Sequence, residues 1–179
     1  AAGHSVDRVF DNCRSDAGEL DQRVAGILTR DHLTTMAALG SAALIVGAFA
    51  FQHLGGLPPC QMCIWQRYPH VIALAAGVLL LAMKLRALKI LGLIAALTTS
   101  AIGLFHVGVE QGWWEGPTSC SSGNIAGISP EELLDQIMSA PLVRCDEIPW
   151  ALMGISMAGW NAIISLSLAG LWLAALRQS

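Results

Sequence analysis

Charge is what this chain has least of. Only 13% of its 179 residues are Asp, Glu, Lys or Arg, 54% are hydrophobic, and the mean hydropathy is +0.57. No charged residue falls between Asp31 and Arg67, between Arg67 and Lys84, between Lys89 and Glu110, or between Glu147 and Arg177. Four such gaps argue against a water-soluble domain, since each can hold the helix of about 20 residues that crosses roughly 30 Å of hydrocarbon. The chain also lacks a glycine-rich phosphate loop and a basic stripe, so nothing points to nucleotides or nucleic acid. Within the spans only Arg67 and His106, each near an end, could serve an ion path, so transport has no support. The first thirty residues lack the apolar core of a signal peptide, and the first span is expected to act as an uncleaved anchor.

The expected fold is an all-α membrane protein, a four-helix transmembrane bundle over residues 33–179, preceded by a cytoplasmic segment, 1–32. The spans are expected near 34–52, 64–83, 90–109 and 150–176. Arg67 and Pro69 fall in the first turns of the second, where an Arg reaches the interface and a Pro costs few hydrogen bonds. Eight basic residues share one side: Arg8, Arg14, Arg23, Arg30, Lys84, Arg86, Lys89 and Arg177. The other side holds Arg67, Arg144 and seven acids. The positive-inside rule therefore places both termini in the cytoplasm and the two other connections outside. In segment 1–32, Val6, Phe10, Cys13, Leu20, Val24 and Ile27 suit an amphipathic helix on the inner surface, and a tail without fixed structure suits it equally.

Cysteines gather on the outer side. Cys60 and Cys63 stand in Pro58-Pro59-Cys60-Gln61-Met62-Cys63-Ile64-Trp65-Gln66-Arg67, while Cys120 and Cys145 lie in the loop 110–149. Disulfides persist in oxidising compartments, so this placement suits thiol chemistry; Cys13, on the reducing side, reads as a bystander. A second Cys in the first turn of a helix gains from the helix dipole, and Arg67 adds a fixed charge four residues later. The long loop opens on Trp113 and Trp114, suited to the headgroup level. It continues with Ser129-Pro130-Glu131-Glu132, the start of a short amphipathic helix carrying Leu133, Leu134, Ile137 and Met138. Zinc sites usually bring a second close cysteine pair, which is missing, so no metal is expected. A structural disulfide at Cys120 and Cys145 stays open; one at Cys60 and Cys63 would close too small a loop to restrict the unfolded chain much.

Four spans, a C-x-x-C in the first outer loop, an Arg four residues after its second Cys and a separated pair in the second outer loop together resemble the DsbB family of bacterial disulfide bond formation proteins. The resemblance covers about 29–177. It implies an inner-membrane thiol:quinone oxidoreductase that reoxidises a periplasmic thioredoxin-fold partner of the DsbA kind and passes electrons to ubiquinone or another membrane quinone. It implies further that Cys120 takes the mixed disulfide with the partner and that Cys145 pairs with it. Cys60 then exchanges with the loop pair, and Cys63 stands beside the quinone. Arg67 and His106 become quinone contacts, the latter on position alone; His53 and His70 also lie near the outer surface.

Bland readings stand beside these. Arg67 could bind a lipid phosphate, His106 a neighbouring carbonyl, and Trp65 could belong to an aromatic belt. Two other functions compete: a membrane scaffold or metal-binding protein with structural disulfides, and a relative of vitamin K epoxide reductase. In the latter the C-x-x-C follows the loop cysteines, whereas here it precedes them.

Overall fold

The computed structural model describes residues 32–117, 129, 131, 134, 138 and 143–178. Four helices, α1 (His32–His53), α2 (Gln61–Ala82), α3 (Arg86–Glu110) and α4 (Met157–Arg177), are each long and apolar enough to cross a membrane. They form the four-helix membrane bundle that the charge-free gaps predict. Segment 1–31 with Cys13, and Cys120, lie outside the described residues.

Small residues let the helices approach closely, as expected where lipid removes the hydrophobic drive between them. A Cβ on Gly92 of α3 would stand 2.5 Å from Trp172 Cε2 of α4, and one on Gly40 of α1 would stand 2.5 Å from a Leu168 methyl. Trp172, fully buried, is the centre of a cluster with Ala37, Leu80, Ala96, Leu168 and Ala169. α3 packs against both α2 and α4.

Three helix starts differ from expectation: α3 begins at Arg86, four residues before the expected 90, and the other two differ for local reasons. α2 starts at Gln61, because Cys60 caps it, so Pro69 lies well inside the helix and not in its first turn. α4 starts at Met157, seven residues after the expected 150. The intervening residues form a hairpin, with β1 (Ala151–Leu152) pairing antiparallel to β2 (Ile155–Ser156) in the register Ala151↔Ser156. Its two-residue turn has Met153 at φ 53° and Gly154 at φ 77°, the left-handed pair that such hairpins need. Ser156 then caps α4 by accepting the Gly159 N–H at 3.2 Å. In the connection between α3 and α4, Glu131, Leu134 and Met138 are helical and exposed, where an amphipathic helix is expected; the rest of that expected helix, with its cap partner Glu132, lies outside the described residues.

Candidate active site

The site begins where α2 begins. Cys60 is extended (φ −73°, ψ 168°) and its Sγ accepts the Cys63 N–H at 3.3 Å, so a cysteine does the work usually done by Ser or Asp at an N-cap. Cys63 is thereby held in the first turn, as the spacing predicts. The two Sγ atoms lie 2.8 Å apart, with Cys60 donating. That hydrogen bond, and then burial, push the Cys60 thiol well above its ordinary pKa.

Tertiary structure brings Cys145 to this pair. It is fully buried with Cys60, Met62 and Val109. The donor atoms of Cys60, Cys145 and His106 all lie within 4.8 Å of one another. His106, 2% exposed, has its Nε2 3.6 Å from Cys60 Sγ and 3.2 Å from the Cys145 carbonyl oxygen. Gln66 Nε2 donates to its Nδ1 at 3.0 Å, which leaves the ring hydrogen on Nε2 to donate to that carbonyl. Both ring nitrogens of His106 are thus engaged by protein.

Arg67 is held by α1. Its Nη1 donates to Gln52 Oε1 at 2.8 Å, and its Cζ stands 4.9 Å above the Phe49 ring. Its Nε is buried with no hydrogen-bond partner among the described residues. Phe49 in turn stacks on His53, at 6.1 Å between ring centroids.

Cys60, Cys63, Arg67 and His106 all face a cavity of about 530 Å3. Its far walls are apolar, with Leu44, Gly47 and Ala48 of α1 and Ile164 of α4. Arg144 and Glu147 stand at its rim; Arg144 donates to Asp146 and holds that carboxyl below the usual range.

Several site residues escape sequence reasoning. Glu110 appears there only as one outer acid, yet its side chain is buried, accepts from Ser156 Oγ and lies 4.0 Å from His106 Nε2. Gln52, Gln66 and Asn161 carry no motif. His70, already a candidate from its place in the sequence, is 3% exposed and bonded to Asn161 in the bundle interior, a partner that the sequence does not announce. The only available signal was polarity inside an apolar span, which for Gln66 and His70 falls at helical spacing from Cys63.

The model of the family described as disulfide bond formation protein DsbB matches residues 30–175. Among similar proteins, Disulfide bond formation protein B of a Polaromonas strain is 32% identical, over 76% of this chain and 85% of that protein. The protein of the same name from Verminephrobacter eiseniae is 32% identical over 83% and 86%, and that from a Shewanella strain 32% over 69% and 74%.

Proposed function

The chain belongs to the DsbB family of disulfide bond formation proteins, and from that premise we propose that it oxidises a thioredoxin-fold, DsbA-like partner outside the membrane and delivers the electrons to a membrane quinone. The observation that carries the reading is that Cys60, Cys63 and Arg67 face one apolar-walled cavity while Cys145 packs against Cys60.

The cavity fits a quinone. Leu44, Ala48 and Ile164 suit an apolar ring and tail, and the unpartnered Nε–H of Arg67 suits a ring oxygen. A quinone bound there supplies a two-electron acceptor. The cysteines supply a thiolate relay. A partner thiolate attacks Cys120 of a Cys120–Cys145 disulfide, and Cys145 leaves as a thiolate. The partner's second thiolate then closes its own disulfide and releases Cys120. Cys145 attacks Cys60 of a Cys60–Cys63 disulfide, and Cys63 leaves as a thiolate facing the cavity. Cys120 attacks Cys145, restoring the loop disulfide and freeing Cys60. Cys60 and Cys63 would close again by giving up two electrons and two protons to a quinone held beside Cys63 and Arg67. Overall, partner dithiol and quinone give partner disulfide and quinol. Arg67 holds positive charge where the acceptor gathers negative charge. The side of the membrane follows from the basic residues: termini and the short link 83–85 inside, cysteine loops outside.

The test is quinone reduction by the purified protein in detergent, followed in the ultraviolet with ubiquinone and a reduced thioredoxin-fold donor. Turnover is expected, and Cys63→Ala is expected to abolish it. No turnover with any donor or quinone, in folded protein, would make the cysteines structural.

A further inference from the structure

A polar network deeper in the bundle has no part in the relay above. His70 of α2, Thr99 of α3, and Asn161 and Ser165 of α4 meet at hydrogen-bonding distances inside the bundle. Polar groups at membrane depth are costly, and their presence calls for a use.

The hydrogens follow by elimination. The Thr99 hydroxyl lies 3.1 Å from the Gln66 backbone carbonyl, which only accepts, so the hydroxyl hydrogen goes there. Thr99 Oγ1 then receives the N–H of Asn161 Nδ2 at 3.2 Å. This turns Asn161 Oδ1 toward His70, whose Nε2, at 3.0 Å, must carry the hydrogen between them. Nδ1 is left with a bare lone pair. It is buried and has no hydrogen-bond partner among the described residues.

His70 also faces the cavity. It stands seven residues after Cys63, about 10 Å along the same face of α2. A lone pair here needs a donor. The ring of a quinone offers only acceptors, whereas that of its reduced form, the quinol, carries hydroxyl donors. We infer that His70 Nδ1 accepts a hydroxyl of the quinol, so that this end of the cavity distinguishes the reduced ligand from the oxidised one. The inference rests on the quinone reading of the cavity.

Two substitutions separate this role from a structural one. His70→Gln puts polar atoms where Nε2 was and keeps the link to Asn161, but leaves nothing at Nδ1. His70→Asn does the reverse, placing its oxygen at the Nδ1 position. Binding of a short-chain ubiquinol and of the matching ubiquinone is measured anaerobically by tryptophan fluorescence, in a Cys63→Ser background where no electrons move. His70→Gln is expected to weaken quinol binding about five- to tenfold, the scale of one lost hydrogen bond, with quinone binding unchanged; His70→Asn is expected to retain quinol binding. Unchanged quinol binding in His70→Gln, equal loss of both ligands, or loss in His70→Asn alone overturns the inference. A parent protein that binds neither form removes the quinone reading and this inference with it. In otherwise unsubstituted Cys63→Ser protein carrying 15N-labelled histidine, the lone-pair nitrogen of His70 is expected to shift on addition of quinol and not of quinone. A signal unmoved by quinol overturns the inference whether or not the substituted proteins fold.

Discussion

At the scale of single residues, the two cysteines of the motif are made unequal by their surroundings. Cys60 is 5% exposed and donates to Cys63, which keeps its proton on, while Cys63 is half-buried at the cavity. In reduced protein at pH 8, limiting N-ethylmaleimide is therefore expected to modify Cys63 before Cys60, read by peptide mass spectrometry; equal rates would contradict the hydrogen-bonding order. Arg67 is pinned by Gln52 and Phe49, and its buried Nε–H has no partner among the described residues. Arg67→Ala is expected to raise the apparent quinone KM about tenfold or more, the scale of a lost charge-assisted hydrogen bond, while the KM for the partner stays put. An unmoved quinone KM would return Arg67 to lipid phosphate.

Among the elements, the start of α4 does two jobs with one hydroxyl. Ser156 caps the helix and donates to the buried Glu110 carboxyl of α3, tying the hairpin to the cavity wall. Ser156→Ala is expected to cost about 1 kcal/mol for the cap and about 1–3 kcal/mol for the stranded carboxyl. In thermal melts, Ser156→Ala combined with Glu110→Gln should lose less than the sum of the two singly, since they share a contact. Helix spacing gives a second test. Gly92→Ala should lower the melting temperature, since its Cβ meets the Trp172 ring and overpacking costs about 1–3 kcal/mol. Gly170→Ala, with nothing within 4 Å, should not lower it. Equal effects would mean that α3 and α4 do not touch at Gly92.

For the whole molecule, the distribution of basic residues predicts one orientation. In right-side-out membranes a thiol reagent that cannot cross the bilayer should reach a variant retaining only Cys63, and in inverted vesicles one retaining only Cys13. The opposite pattern would invert the topology and put the cysteine chemistry on the reducing side.

Composition alone determined the bundle, because hydrocarbon excludes charge and 20 apolar residues suit little else than a span. Spacing placed Cys60, Cys63 and Arg67 on successive turns at the start of α2, a local relation that sequence encodes. Span ends were less legible: the hairpin at 151–156 is as apolar as the helix after it, and only the turn at Met153-Gly154 and the Ser156 cap separate them. What the tertiary structure alone decided is which distant residues meet. Cys145 reaches Cys60 from another loop, Glu110 turns inward to Ser156, and His70 finds Asn161 ninety-one residues away. Such meetings depend on how helices rotate and approach, which glycines at Gly40 and Gly92 permit without specifying, so no periodicity in the chain announces them.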